Sequence, residues 1–123
     1  MIENVRVSEK AKIQLITLKR RTGIQNWNVL CRWALCASLK EKSEPPKEDL
    51  GADSSIEMTW KTFSGGQDQV YLALIQQRAV AAGVPLEKGP LYQYFRLHLH
   101  RGISYLVGNP RLQSIEDLVR LAA

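Results

Sequence analysis

The sequence predicts a mainly α domain that opens as strand, helix, helix and continues as further helices packed behind them. Three observations predict it. Residues 2–7, "IENVRV", alternate and are rich in β-branched side chains, the period-two mark of a strand. From Glu9 the apolar period lengthens to that of a helix, and Gly23 then Asn26 punctuate the passage to a second helix. The composition, 45% hydrophobic and 24% charged over 123 residues, suits one globular domain with a modest core.

Each element has a local cause. Ser8 is a ready N-cap, because its hydroxyl can accept from a free amide in the first turn. Ala11, Leu15, Leu18 and Thr22 then share a narrow sector, with Ile16 at its edge. Gly23 is the expected stop, since it reaches positive φ without a Cβ clash. Asn26 caps the second helix, "WNVLCRWALCASLK", whose apolar side chains point in every direction. A helix apolar all round must be buried on all sides. A single amphipathic helix cannot cover it, so the C-terminal half covers part and a second copy covers the rest. A homo-oligomer, a dimer or tetramer, is therefore expected.

"EKSEPPKEDLGADSS" follows at 41–55, acidic, aperiodic and broken by Pro45 and Pro46, and reads as a mobile loop. The chain thus divides into a basic strand–helix–helix at 1–42, an acidic loop at 43–55 and a helical half at 56–123. "IEMTWKTF" alternates, with Ile56, Met58 and Trp60 on one face, and reads as an extended segment ended by "SGG". "DQVYLALIQQRAVAAG" reads as a helix closed by Gly83 and Pro85, and "GPLYQYFRLHLHRGISYLVG" as a longer one. Ser114 with Asp117 forms a capping box for a last short helix, "IEDLVRLAA".

Charge is the strongest functional signal. The net +5 is uneven: residues 1–42 hold nine Lys or Arg against three acids, and residues 43–123 hold eight against nine. Localised basicity of this kind points to a polyanion. Lys12 and Lys19 share one flank of the first helix, and Lys10 and Arg21 the other; Arg20 and Arg21 also suit the helix dipole in the last turn. DNA carries one charge per about 1.7 Å of axis, and cations that displace its counterions bind it without reading sequence. Arg6, Lys10, Lys12, Lys19, Arg20 and Arg21 are the DNA-binding candidates, with Asn4 and Arg6 alone placed to read base edges.

Other motifs carry little chemistry. His98 and His100, two apart on a helix, point roughly 200° from each other and cannot chelate one ion. Cys31 and Cys36 lack a CxxC spacing and read as small core residues with free thiols. Gly65 and Gly66 before a helix could cradle a phosphate, but read better as a turn. No nucleophile–base set, paired carboxylates or Walker motif appears, so no enzyme, metal or cofactor is expected. No stretch approaches the roughly 18 apolar residues of a membrane span, and Glu3 and Arg6 interrupt any signal peptide, so a cytoplasmic protein is expected.

"VRVSEKAKIQLITLKRRTGIQNWNVLCRWAL", "WKTFSGG", "YLALIQQR" and "FRLHLHRGISYL", in this order and spacing, resemble the DndE family of DNA sulfur-modification proteins over nearly the whole chain. The resemblance implies a small accessory subunit of a bacterial system that replaces a non-bridging phosphate oxygen of DNA by sulfur. It implies partners that supply a cysteine desulfurase, an iron–sulfur protein and an ATPase. It brings no catalytic residue. The expected function is thus a non-catalytic DNA-backbone-binding subunit of a phosphorothioation system that prefers nicked duplex. The alternative, drawn from the strand–helix–helix order, is a ribbon-helix-helix repressor, in which two chains pair their strands on DNA.

Overall fold

The computed structural model describes residues 2–122 of the chain. The strand β1 (Asn4–Ser8) leads directly into α1 (Glu9–Thr22) and, past Gly23, into α2 (Trp27–Lys40). Ser8 caps α1, its hydroxyl accepting from Ala11 N–H at 3.1 Å. Gly23, at φ 75°, closes it by donating to Lys19 O at 2.9 Å. The strand–helix–helix order predicted from the sequence is the order observed.

The ribbon is completed inside the chain. β2 (Asp53–Thr59) pairs antiparallel with β1, Val5 opposite Met58 and Arg6 opposite Glu57, with an irregularity before Ser8. The strand therefore starts before the alternating stretch that announced it. It also stops before Trp60, which opens the short helix α3 (Trp60–Ser64) under a Thr59 cap. The other edge of β1 is closed by side chains. Arg6 N–H donates to Tyr92 Oη at 3.2 Å and Ser8 N–H to His100 Nε2 at 3.0 Å.

Both of those acceptors lie on α5 (Lys88–Gly108), the 21-residue helix against which the rest is assembled. Leu91, Phe95, Leu99 and Ile103 are fully buried along it. Trp60 and Phe63 of α3 meet Phe95 with ring centroids 5.1 and 5.2 Å apart, edge to face. Helices α2 and α5 cross at Gly102, where a Cβ would fall 1.7 Å from Ala34 O, so only glycine admits the approach. The helices α4 (Asp68–Ala81) and α6 (Ile115–Ala122) pack outside. Ser114 caps α6 through Asp117 N–H, while the Asp117 carboxylate accepts from Gln113 N–H.

Two side-chain expectations are revised. Ile16 is 45% exposed and Ile13 65%, because both lie well away from the sector centred on Leu15 and Leu18. On α2, Leu30, Cys31, Ala34, Leu35 and Ser38 are buried. Val29 and Trp33 are only half-buried, and Cys36 is exposed. Among the described residues, no helix is long and apolar enough to cross a membrane.

Candidate nucleic-acid interface

α1 carries five cations around an apolar outer line. Ala11, Leu15, Leu18 and Thr22 face the core, which leaves Ile13, Ile16 and Arg20 outermost. Lys12 and Lys19 flank that line on one side, Lys10 and Arg21 on the other. Lys12 Nζ donates to Ser55 Oγ of β2 at 3.1 Å, and Lys19 Nζ stands 4.9 Å from the Trp27 ring centroid. Arg21 is more committed, since it donates to Val107 O at the end of α5 at 2.8 Å. Among the described residues, none of these five cations has a carboxylate within ion-pair distance.

Arg6 sits elsewhere. It pairs with Glu57 across the ribbon, facing a groove of about 570 Å³ at the β1–α5 edge. The other two cations of that groove, Lys88 and Arg96, are paired in turn with Glu3 and Asp53, each at 2.9 Å. Among the described residues its three cations thus face three acids. Asn4 lines it too. The structure brings Lys10, Lys12, Lys19, Arg20 and Arg21 onto one helix and sets Asn4 and Arg6 apart from them.

A second charged constellation lies inside, and the sequence reading missed it. α2 ends without a glycine or a side-chain cap, leaving carbonyls that need donors. Two arginines supply them. Arg101 Nη2 donates to Ser38 O and Arg101 Nη1 to Ser43 O, both at 2.8 Å. Arg78 donates to Leu39 O at 2.9 Å and Glu41 O at 2.7 Å, and its Nε reaches the Glu44 carboxylate, which also accepts from Tyr94 Oη. Cations at a helix C-terminus are favoured by its dipole. The signals available in the sequence were Ser38 in an apolar helix and the i, i+3 spacing of His98 and Arg101.

The two histidines point apart, and each belongs to a different contact. Ser38 Oγ accepts from Arg101 Nε at 2.9 Å and is hydrogen-bonded to His98 Nδ1 at 2.8 Å. His98 Nε2 is left buried without a partner among the described residues. His100 Nδ1 donates to Arg96 O at 2.8 Å, so its Nε2 is free to accept from Ser8. Burial lowers both imidazoles to about 4, so both are neutral at physiological pH. Burial also pushes the Cys31 thiol up to about 12 and raises that of Cys36. Neither cysteine is a ready thiolate. Gly65 does not frame an open cradle: the Arg32 guanidinium lies against it and donates to Phe63 O at 2.8 Å.

The family described as DNA sulphur modification protein DndE matches residues 4–114. A crystal structure of DndE from Escherichia coli B7A, involved in DNA phosphorothioation modification, superposes with a TM-score of 0.72 at 23% identity, covering 86% of this chain and 98% of that one. A DndE G21/24K mutant involved in DNA phosphorothioation gives a TM-score of 0.68 at 19% identity, covering 89% of this chain and all of that one. At these identities the two structures show the shared fold. No curated protein matches the chain.

Proposed function

The chain belongs to the DndE family of DNA sulfur-modification proteins, and from that premise we propose that it is a non-catalytic subunit that holds the duplex backbone through α1. One observation carries the reading. The most basic third of the sequence folds so that, among the described residues, five cations of a single helix have no carboxylate within ion-pair distance. Lys12 and Lys19 form the open flank of the contact and Arg20 extends it, with Ile13 and Ile16 against the sugars between phosphates. Cations arranged on the flanks of one helix suit a broad backbone contact better than a base code.

The absence of chemistry assigned to the chain has physical support. Both thiols are poor nucleophiles at neutral pH, and Ser38 and His98 are enclosed by the α2–α5 packing. The partner proteins of the system then carry the sulfur chemistry, and this subunit holds their substrate. Sulfur insertion must open or strain the backbone, and a nick makes DNA locally flexible. Smooth bending of an intact site costs on the order of 1–6 kcal/mol, and relief of about 1.4 kcal/mol gives a tenfold preference. We therefore expect nicked duplex to bind more tightly than intact.

A homo-oligomer would set several copies of α1 on both sides of the break. The supporting feature is the outer stripe of α2. Trp33, Cys36 and Ala37 border an apolar groove of about 390 Å³ against Tyr105, Leu118 and Leu121. Trp33→Glu is expected to yield monomer or aggregate, and a well-folded wild-type monomer in sedimentation at micromolar concentration would end that expectation. The ribbon-helix-helix repressor is the weaker reading. Its dimer pairs the N-terminal strands of two chains, whereas here β2 and the α5 side chains occupy both edges of β1.

One titration tests the whole reading: intact, nicked and sequence-varied duplexes at two salt concentrations. The expected result is a strong salt dependence, a preference for the nick and indifference to sequence. Equal affinity for nicked and intact DNA at matched salt overturns the preference. Strong dependence on base sequence favours the repressor.

A further inference from the structure

We propose that the acidic loop between α2 and β2 is a built-in competitor that guards the Lys10 flank of α1 against phosphate. The inference rests on the DNA-binding reading above and adds a regulatory device to it.

The loop is fastened at both ends. At its root Arg78 and Arg101 hold the carbonyls of Glu41 and Ser43, and Pro45 is buried. At its far end Ala52 O accepts from Glu9 N–H at 2.9 Å, the amide that opens α1. Between these points the chain turns at Gly51, whose N–H donates to Asp49 Oδ1 at 2.8 Å. The turn sets Glu48 and Asp49 along one wall of a cleft of only about 60 Å³. Lys10, Gln14 and Ser104 line the same cleft.

The electrostatics follow from that placement. Among the described residues, neither Glu48 nor Asp49 has a cation within ion-pair distance, and Lys10 has no carboxylate there. All three nevertheless line one small cleft, and charges within a Debye length, about 8 Å at physiological salt, are only partly screened from one another. A phosphate approaching Lys10 therefore meets two acids of its own sign that the fold does not let drift away. Arg21, on the same flank, is already engaged by Val107 O. The Lys12–Lys19 flank has no such strap: its contacts are a serine hydroxyl and an indole ring. The loop thus makes the helix one-sided in charge: Lys10, though exposed, shares its cleft with two acids until the loop is displaced or its charge neutralised, while the half-exposed Lys12–Lys19 flank adjoins a hydroxyl and a ring.

The test is a set of salt titrations on one duplex with wild type, Glu48→Gln/Asp49→Asn, Lys10→Gln and the triple variant. A Glu87→Gln/Glu116→Gln variant removes the same charge at exposed positions outside the cleft and serves as control. Neutralising the loop is expected to tighten binding by at least about threefold at low salt and to steepen the salt dependence as Lys10 joins the contact. Lys10→Gln alone is expected to change affinity by less than about twofold, the scale of a screened surface charge, but to abolish the gain in the triple variant. An equal gain from the control overturns the proposal, since net charge would then suffice. No gain from the loop variant, with wild type still losing affinity on Lys12→Glu/Lys19→Glu, overturns the guard and leaves the DNA reading standing. If wild type fails to bind any duplex, the DNA reading falls first and the guard with it.

Discussion

On the outer surface of α1 Lys10, Lys12, Lys19 and Arg20 stand, among the described residues, without a carboxylate or carbonyl partner for their side chains, while at the end of α2 two arginines are drawn inside and given partners on several sides. Arg20 is exposed and makes no bond within the chain, among the described residues, whereas Arg101 is 9% exposed and serves two carbonyls and a serine. A charge count treats these residues alike. Their surroundings do not: the inner pair complete a helix terminus, and the outer set raises the potential of a surface. A cation free of carboxylates on a solvent-facing helix is available to a polyanion, and one bonded to carbonyls is part of the fold.

The comparison breaks most sharply at Arg101. Arg101→Met removes the guanidinium bonds to Ser38 O, Ser38 Oγ and Ser43 O, leaving Ser38 O with the Glu41 amide alone, and is expected to cost about 1–3 kcal/mol in urea unfolding. Arg101→Lys should recover only part of this, because a point charge cannot reproduce the planar fork. A Met variant as stable as wild type would put the inner pair among ordinary surface cations.

Acid is the next lever, since it acts inside and leaves the outer lysines charged. Both histidines are held near 4, against an ordinary value near 6.5, so between those values the unfolded chain binds the extra protons. Their stabilisation is complete above about 6.5 and is lost as the pH falls towards 4. At pH 5 each should remove up to about 2 kcal/mol relative to pH 7, read as a lower urea midpoint. His100→Gln would sharpen this by removing its share of the pH dependence.

Charge reversal at Lys12 and Lys19 together should weaken DNA binding by about tenfold or more at low salt and lower the salt slope by about 2, with an unchanged melting temperature. A native salt slope in that variant would show that this flank is not the contact. The smallest effect is expected at Arg6, whose partner Glu57 is exposed. Arg6→Gln should shift stability by no more than about 1 kcal/mol, and DNA affinity by less than about twofold.

Much of this was legible in the sequence, and the reasons are local. The Ser8 cap, the Gly23 stop and the alternation of "IENVRV" are decided within a few residues, so they survive unchanged in the fold. The α1 cations could be placed on flanks because helical periodicity alone fixes them. What stayed hidden was non-local. Nothing near Arg6 announces Glu57 or Tyr92, and nothing near Ser38 announces Arg101. Ile16 was misplaced because a sector drawn from a few residues has uncertain edges. The loop at 41–52 looked free by composition because its tethers are backbone carbonyls, which every residue has.

The closure of β1 bears on how the chain is made. Its amides are answered by Tyr92 and His100, which lie 86 and 92 residues further on, and its other edge waits for β2. Synthesis at about 5–20 residues per second leaves the first strand without partners for several seconds after it emerges. Throughout that interval the basic start of the chain is tethered to the ribosome, itself a polyanion, with only its own helical turns to organise it. The bonds from β1 to Tyr92 and His100 can close only once α5 has been made, so the start of the chain reaches its full set of contacts late in synthesis.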